Sequence, residues 1–410
     1  MKKNKVLSNT MSLYIMNIAK LIFPLLTLPY LTRVLSVDCY GIVSYEKALM
    51  TYMQLFVDFG FILSATKDIV KVQKNTEKIG EILTHTMLAK ILLGLIALSI
   101  TLLCATVIPI LRENFVFTIL MFIPVFLTIF LADFLFQGIE QMHILTIRFV
   151  IMRSLSTILT FILVKNDADL YSVAILDIIS TFVSVIITWK QIKKLNVKLH
   201  FQNFSCVIKQ LKESSVYFLS NMASTAFSAL NTMLIGLFCS TTDIAFWSVA
   251  MQIVSAVQAL YTPITNGIYP EMIKTKNFRL ITKIVCLITP LIFIGCCIIY
   301  FFGDYILLIL GGNKYLEASK LLKCFIPLLI FSFYAMLYGW PALGAIGRVK
   351  ATTTTTVVTA ILQVVGLIFL LAIDKFTIIN LAFLRGITEV AMLGFRYSLC
   401  RNYKNEFLVW

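Results

Sequence analysis

The sequence predicts an all-α integral membrane protein of about twelve transmembrane helices arranged as two six-helix bundles. Three observations carry that prediction. Of the 410 residues, 59% are hydrophobic and 13% charged, a balance outside every soluble globular class. Apolar runs recur along the whole chain, each near the ~20 residues that cross a ~30 Å hydrocarbon core. Basic residues gather in alternate loops, as they do in multi-pass proteins.

Reading apolar runs between polar breaks gives helices near 10–32, 40–65, 84–110, 114–137, 141–164, 169–189, 214–238, 244–270, 280–302, 320–340, 350–372 and 376–399. The first run follows Met1-Lys2-Lys3-Asn4-Lys5 and lacks a small-residue cleavage site, so it reads as a retained helix and not a signal peptide. With the N-terminus inside, the cytoplasmic segments hold 21 Lys and Arg against 6 outside. Both termini are therefore expected in the cytoplasm.

The net charge of +15 is spread over short loops, which argues for topology and against nucleic-acid binding. The nine cysteines form no C-x-x-C pair and His85, His143 and His200 are scattered. No metal site, cofactor or catalytic residue is expected from them.

Six helices flank each side of the basic stretch 190–213, which divides the chain into bundles 1–189 and 214–410 joined by a cytoplasmic linker. Asn17-Ile18-Ala19 recurs as Asn221-Met222-Ala223, Asp38 as Asp243, and Phe136-Gln137-Gly138 as Leu337-Tyr338-Gly339, at offsets of 204, 205 and 201. An even number of spans per half makes this a parallel repeat about an axis normal to the membrane, with a central cavity expected.

Thirteen ionisable residues fall inside the predicted helices: Lys20, Glu46, Lys47, Asp58, Lys90, Asp133, Arg148, Arg153, Asp177, Lys323, Arg385, Glu389 and Arg396. A charge near the helix centre costs about 2.5–3.5 kcal/mol on insertion scales, so each requires a partner, water or a reach to the interface. Lys90 and Lys323 lie near helix ends and snorkel; Asp58 and Asp133 sit close enough to the cytoplasmic face to be solvated. Lys20 lies near the midplane and shares a helix face with Asn17, Pro24 and Thr27; the seventh helix repeats that stripe as Asn221, Ser224, Ser228 and Asn231. Arg385, Glu389 and Arg396 share one face of the last helix, and Arg153 and Asp177 sit mid-membrane on adjacent helices, where they can pair. Eight of the thirteen are basic and five acidic. The surplus cations point to a hydrated cavity that receives an anion. Pro24 and Pro29 in the first helix, with Pro263, Gly267 and Pro270 in the eighth, supply hinges or fixed kinks.

The run from Pro24 to Leu35, then Tyr40-Gly41-Ile42, Asp58-Phe59-Gly60-Phe61 and Ser64-Ala65-Thr66, resembles the opening of Wzx-type O-antigen flippases. Phe136-Gln137-Gly138-Ile139-Glu140 and the segment Pro263 to Pro270 are similar to later signatures of the same family. The N-terminal stretch is the specific part; the rest is shared across the multidrug, oligosaccharidyl-lipid and polysaccharide exporter superfamily. The resemblance implies a MATE-like fold, alternating access, and an undecaprenyl-diphosphate-linked O-antigen or similar repeat unit carried from the cytoplasmic to the periplasmic leaflet of a bacterial inner membrane. Membrane lipids, a polysaccharide polymerase and a chain-length regulator are the partners such an exporter would have.

On this reading the diphosphate binds Lys20 and Arg153, with Arg33, Lys47, Arg148 and Arg385 as further candidates and Asn17 and Asn221 beside them. Asp177 and Glu389 are candidates for coupling to H+ or Na+. Two rivals remain. A cation-coupled multidrug exporter would need an anionic cavity, and a membrane polymerase or ligase acting on lipid-linked glycans would be expected to carry a large external loop.

Overall fold

The computed structural model describes residues 2–408, with the side chains of 2–8, 10, 216, 219–221 and 223–228 outside that description. The chain is all-helical among these residues. Its principal helices are α1 (Lys2–Val34), α2 (Val37–Lys71), α3 (Thr76–Val107), α4 (Phe115–Gly138), α5 (Met142–Leu163), α6 (Leu170–Lys194), α7 (Phe204–Phe238), α8 (Thr241–Thr275), α9 (Phe278–Gly311), α10 (Ala318–Gly344), α11 (Val349–Ala372) and α12 (Ile378–Asn402). Eleven of them are long and apolar enough to cross a membrane. The remaining one, α7, corresponds to the expected span 214–238, much of which falls on undescribed side chains, Asn221, Ser224 and Ser228 included.

Several helices outrun the apolar runs because their caps lie in polar sequence. Asn75 starts α3 by accepting from the Lys78 N–H at 3.0 Å, eight residues before the apolar run. Ser36 accepts from the Cys39 N–H at 3.2 Å to start α2, and Ser240 accepts from the Asp243 N–H at 3.1 Å to start α8. These two caps are 204 positions apart, so the repeat read from sequence is also a repeat of helix-start geometry.

The linker is shorter than the sequence suggested. Lys190–Lys194 completes α6 and Phe204 already begins α7, leaving 195–203 irregular. That segment is held against α3. The His200 N–H donates to Thr84 Oγ1 at 3.0 Å, the Gln202 N–H donates to His85 Nε2 at 3.4 Å, and a Cβ on Gly80 would stand 2.0 Å from the Lys198 carbonyl oxygen. The chain divides into two compact units, Met1–Thr225 and Ala226–Trp410, with the division inside α7.

Three spans are interrupted. α2 breaks at Phe59 and Gly60, both left-handed with φ of 40° and 80°. α4 passes through a 3-10 turn at Thr128–Leu131 and a left-handed Ala132. α10 ends in a π-helical stretch, Tyr338–Gly344, with Gly339 off the helical conformation. Lipid offers no hydrogen bonds, so carbonyls at such breaks need donors from the protein. Arg148 Nη1 donates to the Leu131 carbonyl at 2.8 Å, and Arg396 Nη1 donates to the Ala335 carbonyl at 2.5 Å. The two acceptors are again 204 positions apart.

The unit Ala226–Trp410 is fastened at one end by its C-terminal segment. Glu406 accepts from Arg348, whose guanidinium lies 4.4 Å from the Tyr403 ring centroid, and the Leu408 N–H donates to the Lys276 carbonyl at 3.1 Å. The hydrogen bond from Arg348 holds the Glu406 carboxyl below its ordinary value. The clasp is thus fully formed at neutral pH and is lost as pH falls through that lowered value.

Gly80→Ala should force the linker off α3, because the atom opposing the new methyl is backbone and cannot rotate away. We expect a loss on the order of 1–3 kcal/mol, read as a lower melting temperature of the purified protein. Gly295→Ala, where nothing lies within 4 Å, should leave the melting temperature unchanged or slightly higher.

Candidate functional site

In the unit Met1–Thr225, four helices bring together a polar cluster. α1 supplies Lys20, α2 Lys47, α5 Phe149, Arg153 and Ser156, and α6 Asp177. Lys20 Nζ and the Arg153 guanidinium each lie 5.8 Å from the centroid of the Phe149 ring, so one aromatic ring meets two cations. Lys47 is within electrostatic reach of both Asp177 and Arg153. Asp177 Oδ1 accepts from Ser156 Oγ at 2.7 Å.

The helix ends show how deep the cluster lies. Lys47 is ten residues from the start of α2, Arg153 ten from the end of α5, and Asp177 seven from the start of α6. At 1.5 Å per residue these are about 15, 15 and 10 Å below the same loop end of the spans, with Lys20 at about 21 Å. Lys20, Lys47 and Arg153 are nevertheless solvent-exposed. Lys47 is thus far along its helix and exposed, so it is not packed in a core. Among the described residues none of the three has a salt bridge within 4.0 Å. Three exposed cations and one half-buried carboxylate therefore lie close together.

Arg148 is engaged elsewhere. It is buried, with Nη2 on Asp133 Oδ1 at 2.5 Å and Nη1 on the Leu131 carbonyl and on Thr188 Oγ1 at 3.4 Å, so it holds the α4 break and faces away from the cluster. Asp133, expected to be solvated, is half-exposed and is also its counterion. Lys90, expected to snorkel, instead pairs with Asp58 at 2.9 Å. The sequence also left open an Arg153–Asp177 ion pair; Asp177 takes its hydrogen bond from Ser156. Arg33 lies in the last turn of α1, well above the cluster, and Asn17 is exposed one turn from Lys20. Asn221 lies outside the described side chains. Glu46 is wholly buried and accepts from Thr118 at 2.5 Å, on the face of α2 opposite in role to its neighbour Lys47.

The second unit holds a separate polar region on the face of α12 that sequence spacing predicted. Arg385 and Glu389 stand 3.8 Å apart, and with Arg396 they line a cavity of about 370 Å³ with Gln258, Thr262 and Ser332. Beside it, Thr388 Oγ1 donates to Gln363 Oε1 at 3.0 Å and Gln363 Nε2 to Asn231 Oδ1 at 3.2 Å. The sequence reading missed Gln258 and Thr262, which carry no charge and so stood out from nothing.

Among the described residues one group has metal-ligand proximity: Glu77, Glu81 and His200, whose ligand atoms lie within 4.8 Å of one another. They come from α3 and the linker, more than a hundred positions apart in sequence, which is why His200 looked isolated.

A family profile described as polysaccharide biosynthesis protein matches residues 6–276, two thirds of the chain and all of the first cluster. The chain belongs to the polysaccharide biosynthesis protein family. Two curated relatives bear the name "Putative O-antigen transporter": one from Shigella dysenteriae, 28% identical over 331 residues covering 79% of this chain and 81% of the relative, and one from Escherichia coli K12, 28% identical over 317 residues covering 75% and 74%. Among solved structures, the lipid II flippase MurJ in an inward closed conformation superposes with a TM-score of 0.70 at 15% identity, covering 98% of this chain and 89% of that one. An inward-facing MATE family multidrug resistance transporter superposes with a TM-score of 0.67 at 11% identity, covering 94% and 99%. This member of the polysaccharide biosynthesis family therefore has a MATE-like, multi-pass membrane fold.

If Phe149 supports both cations, Phe149→Ala should release Lys20 and Arg153 from a shared platform. The expected cost is about 1 kcal/mol in anion affinity, read as several-fold weaker binding of inorganic diphosphate to the purified protein, with its melting temperature within a few degrees of the parent.

Proposed function

We propose that this protein is a flippase for an undecaprenyl-diphosphate-linked polysaccharide repeat unit, O-antigen or a similar glycan, moved from the cytoplasmic to the periplasmic leaflet of a bacterial inner membrane by alternating access. The observation that carries the reading is the trio Lys20, Lys47 and Arg153, set about 15–21 Å along their helices from one loop end, exposed and accompanied by one carboxylate. Three cations that deep are costly in isolation. A diphosphate supplies matching charge and many acceptor oxygens, and charge-assisted hydrogen bonds to it are about twice as strong as neutral ones. The two O-antigen transporter relatives and the family match support the same cargo class.

The glycan occupies water-accessible space beside the cations while the prenyl chain stays in lipid. Asp177, held by Ser156 next to Lys47, is the better placed of the two coupling candidates, because a proton or Na+ there would alter the field on the diphosphate site directly. Glu389 is set against Arg385 in the other unit. An anionic cavity, which an exporter of organic cations would need, is the opposite of what α1, α2 and α5 line. The basic-loop asymmetry, 21 against 6, supports cytoplasmic termini.

Lys20→Gln and Arg153→Gln should each reduce surface glycan at normal protein levels, and Lys20→Arg should retain more function than Lys20→Gln. Wild-type glycan on both Gln variants would remove the diphosphate site from this cluster. Arg148→Gln should behave differently, with poor accumulation in the membrane, because it leaves Asp133 and the Leu131 carbonyl without their donor.

Topology provides an independent test. Reporters fused after Lys74, Lys198 and Lys276 should read cytoplasmic, and those near Asp38, Thr241 and Lys314 periplasmic.

A further inference from the structure

One side of α6 packs on α4 and α5, through buried Val173, Leu176, Ser180, Ser184 and Thr188. The opposite side is bare. Ile175, Ile179, Phe182 and Ile186 are large, apolar and exposed. At about 100° per residue these four, together with Lys190 and Lys193, fall within an arc of about 80° centred opposite Asp177. The stripe therefore lies on the far side of the helix from the cation cluster and faces the bilayer.

Its chemistry changes at a defined depth. The polar turn Asp167–Asp169 marks one boundary of the span. Lys190 lies twenty residues beyond Leu170, about 30 Å at 1.5 Å per residue, which is the thickness of the hydrocarbon core. Ile186 thus ends the acyl region, and Lys190 and Lys193 stand at headgroup level. Trp189, half-buried at the same level, is a residue type that favours that boundary. With Ile187, Gln191 and Lys194, the two lysines line an open groove of about 540 Å³. All three lysines are exposed, and among the described residues none of their ammonium groups has a partner. Like charges three and four positions apart repel along a helix face, so an anion seated among them relieves a strain built into the sequence.

We propose that this groove holds the headgroup of an anionic phospholipid, with an acyl chain lying along Ile186, Phe182, Ile179 and Ile175. Basic pockets at the end of a membrane span recognise such headgroups. An ammonium group is a compact point charge with three donors and no required plane, which suits a mobile phosphodiester. A zwitterionic headgroup brings its own cation, which the lysines repel. Free phosphate would meet the lysines but gain nothing from the apolar stripe. Lys190, Lys193 and Lys194 directly precede the linker 195–203, so a lipid held there fixes the helix end from which the linker departs. The site is on the opposite face of α6 from Asp177 and does not depend on the transport reading.

The test uses the full-length protein purified in detergent, with native mass spectrometry counting bound lipid. The first phosphatidylglycerol to bind should do so at least about fivefold more tightly than phosphatidylcholine with the same chains. Lys190→Gln combined with Lys193→Gln should remove most of that preference. Lys274→Gln combined with Lys283→Gln, two exposed lysines elsewhere, should keep it. Phe182→Ala should weaken phosphatidylglycerol several-fold, and glycerol 3-phosphate, which has no acyl chain, should not compete. Equal loss from the two double variants would overturn the proposal, because it would mean diffuse attraction to basic loops. Equal affinity for phosphatidylcholine, or a Phe182→Ala variant that binds as the parent does, would overturn it too. Competition by glycerol 3-phosphate would reassign the groove to free phosphate, and displacement by farnesyl diphosphate at lower concentration than by phosphatidylglycerol would reassign it to a prenyl-linked cargo. None of these outcomes touches Lys20 or Arg153, so the transport reading stands or falls separately on surface glycan.

Discussion

A main-chain carbonyl exposed by a broken helix has no water to turn to inside a bilayer, and this fold is arranged around that constraint. α4 and α10 both break, and each break sits beside a buried arginine from another helix: Arg148 on the Leu131 carbonyl, Arg396 on the Ala335 carbonyl. Each guanidinium then needs its remaining N–H groups satisfied, which recruits Asp133 and Thr188 in one unit and Thr355 and Thr356 in the other. Gly339 follows from the same contact. A Cβ there would stand 2.8 Å from Arg396 Nη1, so a side chain at this position would push the guanidinium from its place.

Once those charges are committed to scaffolding, the remainder can be sorted by what is left for chemistry. Lys90 with Asp58 and Arg148 with Asp133 are local neutralisations of groups that would otherwise be costly in lipid, and Glu46 takes a hydrogen bond from Thr118. Lys323 rests over the Tyr300 ring at 5.8 Å. What remains in the first unit is Lys20, Lys47 and Arg153 around one carboxylate. The surplus of three positive charges counted from sequence is therefore not spread evenly. Two of the three fall in one cluster of the first unit, Lys20, Lys47 and Arg153 less Asp177, and the proposed anion site rests on that grouping.

The sequence made the spans legible because the hydrophobic run is a direct readout of the solvent each segment faces. It also placed Arg385, Glu389 and Arg396 on one face, since helical spacing alone decides that. Pairings between helices were not legible. Asp58 and Lys90 are 32 positions apart and looked independently solvated; Asp133 and Arg148 straddle a helix end, so neither could be seen to neutralise the other. Arg148 consequently looked like a free cation. The linker was overestimated for a related reason: Lys190–Lys194 and Phe204–Glu213 are polar and helical at once, because these helices continue past the hydrocarbon into water, where polarity no longer signals a loop.

The internal repeat explains which features the two halves share and which they do not. The serine caps that open α2 and α8, and the carbonyls held at the α4 and α10 breaks, recur at a spacing of 204. Both are backbone features, fixed by where a helix must start or break. The arginines that serve the breaks come from non-equivalent helices, α5 in the first unit and α12 in the second. A backbone requirement can be met by any donor that reaches it, so the donor can sit on different helices in the two units while the acceptor keeps its place. That freedom left α5 with Arg153 for the exposed cluster and α12 with Arg385 and Glu389 for an open cavity. One scaffold thereby holds two polar regions of different charge and burial.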